Sequence, residues 1–173
     1  MEFFEAIEKR HSYRGQYEDK PVPEEDLIKI VNAGLVAPSG CNAQTTSFII
    51  VTNKEIKEKI AKIFASEASI IVSAPALIIG YTKKLTFDFG LDCELEDYAA
   101  AIENILLAIT AMGYASVWVD GNTRLEGRDK AIAQVLDVPK EYNLRAVLPV
   151  GVPKTTGKRA PKKPFDERVR WVR

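Results

Sequence analysis

Five consecutive residues near the start, Arg10-His11-Ser12-Tyr13-Arg14, place two guanidinium groups, the single histidine of the chain and a serine hydroxyl in one short stretch. The chemistry this set suits is recognition of an anion. Arginine presents planar, paired donors to a phosphate, and a serine hydroxyl with nearby backbone N–H groups can complete the cage. Read alone, the same stretch is also a solvated helix end whose cations offset the C-terminal macrodipole. A second polar stretch, Pro38-Ser39-Gly40-Cys41-Asn42-Ala43-Gln44, combines small residues with two amides. An ordinary helix-to-strand turn accounts for its Pro, Ser and Gly but less well for Asn42 and Gln44. Basic residues gather again in the tail, beginning at Gly157-Lys158-Arg159.

Several familiar catalytic arrangements are missing. No Gly-x-Gly-x-x-Gly follows a strand and no Gly-Lys-Ser/Thr phosphate loop occurs, so a Rossmann or Walker cradle is not expected. Asp88-Phe89-Gly90 imitates a kinase tripeptide without the rest of that signature. One histidine with no second nitrogen or thiol ligand nearby argues against a transition-metal site, and no nucleophile elbow supports a Ser-His-Asp triad. What remains is chemistry carried by a bound cofactor, or no catalysis.

The elements that must position these residues follow from periodicity. Phe3, Phe4 and Ile7 recur at helical spacing, so the basic cluster follows a first helix. Pro23-Glu24-Glu25-Asp26 opens a second, with Leu27, Ile30, Val31, Gly34 and Leu35 on one face, ending before Pro38. Ser47 to Val51 reads as a buried strand. Asn53 caps a helix in which Ile56, Ile60 and Ile63 face inward and Lys54, Glu55, Lys57, Glu58 and Lys59 stay wet. Ala76 to Tyr81 is a strand and Lys83 to Gly90 a loop. Asp92 opens the longest helix, whose broad apolar stripe from Leu95 to Met112 predicts packing on more than one partner. Gly113 stops it, Ala115 to Val119 is a strand, a weaker helix covers Glu126 to Leu136, and Leu144 to Val150 is the last strand.

A chain of 173 residues, 46% apolar, is the size of one domain with a sizeable core. Its 24 basic side chains balance 24 acidic ones, so charge-driven function must be local. Cys41 and Cys93 are too few for a disulfide framework and read as reduced thiols. With an acidic N-terminus and no apolar run long enough to span a bilayer, a soluble, cytoplasmic protein without a membrane partner is expected. From Lys154 onward the chain turns basic and poor in apolar residues, so the tail must lie on the surface, reach across a partner or stay mobile.

Taken in order, the 10–14 cluster, the 38–44 loop, the turn after Val119, the run Leu148-Pro149-Val150-Gly151-Val152-Pro153 and Gly157-Lys158-Arg159 resemble the FMN-dependent nitroreductase family over nearly the whole length. The resemblance implies an α+β fold, a mostly antiparallel sheet flanked by helices, in an intertwined homodimer with FMN at the interface. It implies a single domain over residues 1–173, with 154–173 an extension packing on the partner subunit. Arg10, Ser12, Lys158 and Arg159 match positions that hold the FMN phosphate, with His11 beside the ribityl chain or ring edge. Arg14 matches a basic position near flavin N1 and O2, where a cation would stabilise charge on the reduced ring. Pro38, Ser39, Gly40, Asn42 and Gln44 match a loop contributed by the neighbouring subunit. Asp120-Gly121 fall beside flavin N5, where members often carry Glu-Gly or Gly-Gly, so Asp120 is a departure. Cys41 replaces a more usual Ser or Thr.

The function implied is transfer of hydride from NADH or NADPH to FMN, then reduction of a flat, electron-poor small molecule such as a nitroaromatic or quinone, by ping-pong kinetics. No side chain is assigned as catalytic; Arg14 and Gly121 tune the flavin. Two alternatives stay open. One is a reductase or dehalogenase of the same fold acting on another acceptor, distinguished by the pocket lining and the 83–90 segment. The other is a non-enzymatic module binding an anion or nucleic acid through the basic tail, which would show steep salt dependence; its poor aromatic interleaving makes the flavin reading, without nucleic acid, the preferred one.

Overall fold

The two most apolar stretches pair with each other at the centre of the sheet. In this computed structural model, which describes residues 1–64 and 66–173, strand β2 (Ala76–Lys83) runs antiparallel to β4 (Tyr142–Gly151) from Ala76↔Val150 to Lys83↔Tyr142. β1 (Thr46–Val51) flanks β2, and the two-residue β3 (Ala115–Ser116) flanks β4, giving the order β1-β2-β4-β3, antiparallel throughout. Near-continuous burial of β2 and β4 explains why they lack polar alternation: both faces are covered.

One layer is formed by helices α2 (Glu24–Leu35) and α5 (Glu94–Ala111), whose Leu27, Ile30, Tyr98, Ile102 and Ile105 pack on Ile78, Ala146 and Leu148. The opposite face is covered by α3 (Lys54–Ile63), α4 (Ala68–Ser73) and α7 (Arg128–Val135), which contribute Ile60, Ile71 and Ile132 around Leu77, Ile79 and Val147. The first helix, α1 (Phe3–Lys9), and a four-residue turn, α6 (Gly121–Arg124), complete the set. This is the α+β, antiparallel architecture expected from the resemblance.

Several boundaries differ from the sequence expectation for physical reasons. The longest helix begins at Glu94, because Asp92 pairs with Lys84 and Cys93 takes the N-cap position. The strand expected over Ala115 to Val119 is only two residues long; Val119 then makes a single bridge to Val147. The helix expected from Glu126 starts at Arg128, since Glu126 and Gly127 sit in left-handed conformations. Helix α4 was not visible as a period separate from the strand after it. Lys57, expected to stay in water, is buried, and its ammonium donates to the carbonyls of Ala74 (2.7 Å) and Pro75 (3.1 Å), closing the open end of α4. Burial correspondingly lowers its pKa. Asn53 does cap α3, accepting from the Ile56 N–H at 3.0 Å, and Gly113 does end the long helix with φ +84°.

Residues 16–18 and 152–154 meet at one edge. Glu18 N–H donates to the Val152 carbonyl (2.8 Å), Lys154 N–H to the Gln16 carbonyl (3.0 Å), and Tyr17 pairs with Pro153. The basic tail therefore starts beside the N-terminal cluster. Every residue from Lys154 to Arg173 is exposed.

Candidate functional site

The sequence-selected residues fall into three patches. Arg14, Asp120 and Gly121 line a cleft of about 500 Å³ with Val117, Trp118 and Val119. Tyr13 and Tyr17, both fully buried and in edge-to-face contact, hold the Arg14 segment in place, and Tyr13 N–H donates to the Ser116 carbonyl at 2.9 Å. Alternation of buried and exposed residues thus turns Arg14 outward.

Asp120 follows the sheet bridge at Val119 and precedes α6. One carboxylate oxygen accepts from Arg124 (2.5 Å) and the other from the Tyr98 hydroxyl (3.4 Å), which itself accepts from Trp118 Nε1 (2.8 Å). Burial, reinforced by the Asp120 charge, pushes the Tyr98 pKa well up, so this hydroxyl stays a donor to the carboxylate across the neutral range. On the far wall of the cleft Asn122 donates to Glu67 and, at 3.1 Å, to Ser66, while Arg128 donates to Asn122. The sequence reading missed Tyr98, Glu67 and Asn122, because nothing in the local pattern links residues 66–67, 98 and 118–122 before the fold does.

The second patch surrounds the end of α1. Arg10 pairs with Glu103 of α5 at 3.3 Å and lines a small crevice with His11 and Ser116. His11 Nδ1 lies 2.9 Å from the Lys9 carbonyl, which sets that nitrogen as the donor; Nε2 is buried without a partner. Gly157 covers it so closely that a Cβ there would lie 2.0 Å from Nε2, so only glycine fits. Two residues on, Arg159 donates to the Glu8 carbonyl at 3.2 Å. Gly157 and Arg159 of the tail thus lie against the end of α1, on His11 and the Glu8 carbonyl; Ser12 and Lys158 are exposed.

The third patch is the 38–46 turn. Its residues contribute nothing to the 500 Å³ cleft of the same protomer, where Arg14 and Asp120 lie. Pro38, Ser39 and Gln44 instead line a separate hollow of about 220 Å³ against α2 and α5. The turn is tightly specified. Cys41, Asn42 and Gln44 hold φ values of 50°, 56° and 50°, left-handed conformations that strain non-glycine residues. Ser39 Oγ accepts from Gln44 N–H (3.0 Å), and Asp97, only 5% exposed, accepts from Gly40 N–H (2.7 Å) and the Thr45 hydroxyl (2.9 Å). Asp97 was not selected from sequence. The available signal was its place on the apolar face of α5, three residues from Glu94 and one from Tyr98; Glu94 is also buried and is paired with Arg145 of β4 at 2.5 Å.

Among the described residues no helix is long and apolar enough to cross a membrane. Among the described residues no group of three or more acidic, cysteine or histidine side chains could hold a metal ion.

Comparison with known proteins converges on one group. The model of the nitroreductase family matches residues 7–89 and 68–152. An Archaeoglobus fulgidus protein provisionally named an NADH dehydrogenase/NAD(P)H nitroreductase is 33% identical over 153 residues, covering 88% of this chain and 86% of the relative. The iodotyrosine deiodinase of Thermotoga neapolitana is 26% identical, over 87% of this chain and 88% of its own. Among solved structures, an FMN-dependent nitroreductase of Clostridium difficile R20291 superposes with a TM-score of 0.82 at 27% identity, covering 97% of this chain and 98% of that one.

Proposed function

This chain belongs to the nitroreductase family of FMN-dependent oxidoreductases, and on that premise we propose that it works as a homodimer reducing flat, electron-poor acceptors with NADH or NADPH. The observation that carries the reading is the shared cleft of Arg14, Asp120 and Gly121, of a size that suits a small-molecule cofactor. An FMN held there would supply hydride and electron transfer between a nicotinamide and an acceptor that use the cleft in turn, which predicts ping-pong kinetics.

The residues present fit that cofactor. Arg14, exposed on the cleft wall, supplies a cation for the end of the flavin ring that gains charge on reduction. Gly121 has open space around its Cα and leaves room for a close approach. Arg10, Ser12, Lys158 and Arg159 are the donors proposed for the phosphate, and His11, whose Nε2 is buried and unpartnered under Gly157, is proposed beside the ribityl chain. Asp120 is held by Arg124 and Tyr98, so its carboxylate borders the cofactor while its charge is largely answered from behind.

The 38–46 turn makes the dimer part of the proposal. Asn42 and Gln44 are exposed and do not line their own protomer's cleft, so Pro38, Ser39, Gly40, Asn42 and Gln44 serve the second protomer's cofactor. Exposed apolar residues on three elements, Phe3 and Phe4 on α1, Leu35 and Val36 at the end of α2, and Phe165 and Trp171 in the tail, supply the surface to be covered. Residues 154–173 then form an extension that packs on the partner, beyond the last residue matched by the family model.

The acceptor is the finer part. Phe87 and Phe89 stack at 5.1 Å in the segment between β2 and α5, and Phe87 borders Gly40. A flat aromatic wall beside the turn favours planar acceptors, nitroaromatics and quinones before others. Dehalogenation is the second reading, motivated by the similarity to the Thermotoga deiodinase. The deciding experiment is the visible spectrum of the purified protein before and after anaerobic NADH. Two flavin bands that bleach support the reading; a colourless protein that takes up no added FMN would overturn it. Turnover of nitroaromatic, quinone and iodotyrosine substrates then separates the acceptors.

A further inference from the structure

The two cysteines lie apart in sequence and together in the fold. Gly40 packs so tightly on Cys93 that a Cβ at position 40 would stand 2.7 Å from Cys93 Cβ and 2.9 Å from its sulfur. Cys41 is the next residue, exposed, on the left-handed bend of the turn. Cys93 occupies the N-cap position of α5 but its sulfur makes no capping hydrogen bond, and its backbone carbonyl alone holds the helix start through Asp97 N–H (2.9 Å). Both thiols are free. Neither is used by the proposed flavin chemistry.

We propose that Cys41 and Cys93 form an oxidisable thiol pair, a site at which a hydroperoxide installs a disulfide joining the 38–46 turn to the start of α5. The Cys41 thiolate attacks the distal peroxide oxygen; the O–O bond breaks, the sulfur becomes a sulfenic acid and an alcohol, or water from hydrogen peroxide, leaves. The Cys93 thiol then displaces the sulfenic oxygen as water, so two thiols lose two electrons and two protons and the peroxide takes them up. The order of events follows from surroundings. Burial, then the charges of Glu96 and Asp97, raises the Cys93 pKa, which disfavours it for the first attack and leaves that to exposed Cys41. Cys93 already touches Gly40, the residue before Cys41, so forming the bond turns the Cys41 end of the bend toward the start of α5. The consequence is a second tether, beside the Asp97 hydrogen bonds, on the loop proposed to reach the partner's cofactor; the pair itself does not depend on which acceptor the enzyme reduces.

The test uses the full-length protein as purified, treated with hydrogen peroxide and digested without reductant. The expected result is loss of both free thiols from each chain, a linked peptide pair containing residues 41 and 93, and its release by dithiothreitol. Cys93→Ser should leave Cys41 as a sulfenic acid trapped by dimedone, and Cys41→Ser should leave the Cys93 thiol unreacted. Cys41 is exposed, so that variant folds as the parent does. Retention of both thiols, a bridge between two chains through Cys41, or the same dimedone adduct in the parent as in Cys93→Ser would each overturn the proposal.

Discussion

The 38–46 turn and the 154–173 tail are both assigned to cofactor contact, yet the protomer treats them in opposite ways. The turn is finished before any ligand arrives. Asp97 takes Gly40 and Thr45, Ser39 takes Gln44, and Cys41, Asn42 and Gln44 are held left-handed. The tail is exposed from Lys154 to its end, secured early by Arg159 on the Glu8 carbonyl and later only by local contacts such as Phe165 with Trp171. The difference teaches where ordering entropy is met: for the turn at folding and, on the proposed function, for the tail at dimerisation or cofactor binding.

That contrast can be broken most severely by removing the chain after Pro153. FMN retention and dimerisation should both be lost, while the flavin-free fold melts within about 4 °C of the parent, a shift corresponding to roughly 1 kcal/mol. Light scattering and absorbance decide it; a truncated protein that stays dimeric and yellow refutes the tail's role. Next in size, Asp97→Ala should lower folding stability by about 2–4 kcal/mol, because a buried hydroxyl and a part-buried backbone N–H lose their carboxylate acceptor. Urea unfolding measures this, and a change well below 1 kcal/mol would mean that the turn is not built on Asp97.

Arg10→Ala should weaken FMN binding to the apoprotein by about tenfold to a hundredfold, the loss of one charge-assisted contact. Flavin fluorescence titration reads it directly, and an unchanged affinity would remove Arg10 from the phosphate site. The smallest effect concerns pH. Burial and the hydrogen bond to Asp26 push the Tyr114 pKa up to about 12 from 10.0, and burial raises Tyr17 and Tyr98 further. The folded state binds these protons more tightly, so their stabilisation is complete below about pH 10 and is lost as pH rises toward and past 12. Lys57, with its pKa lowered, works in the opposite direction. Tyr114→Phe should flatten the decline in stability measured between pH 10 and 12; an identical slope in both proteins would contradict the assignment.

Elements with a strong period or cap were legible in sequence. The inward stripe of α2 through Leu27, Ile30 and Gly34, though not Leu35, which is exposed, the Asn53 cap and the apolar strands β2 and β4 follow from residue types within one window. The order β1-β2-β4-β3 did not, because it depends on pairing between distant segments. The same distinction holds at the site. Arg10, His11, Arg14 and the 38–44 loop announced themselves by composition. Asp97 is by sequence one more acid in the first turn of α5, and Lys57 is expected in water; only tertiary contacts give each a buried partner. Asp120 was noticed only as a departure from a pattern; its hold by Tyr98 and Arg124 needed the coordinates.

The place of β4 has a consequence for the newly made chain. It is the last strand in chain order among the described residues, and it belongs in the middle of the sheet, between β2 and β3. Until it emerges, β2 offers Leu77, Ile78 and Ile79 along an unpaired edge, the kind of template on which nascent chains aggregate. The long intervening α5, packed on β2 through Tyr98 and Ile102, covers one face of that strand in the meantime. Translation that pauses within β4 would therefore be more hazardous to this protein than a pause anywhere in the tail that follows.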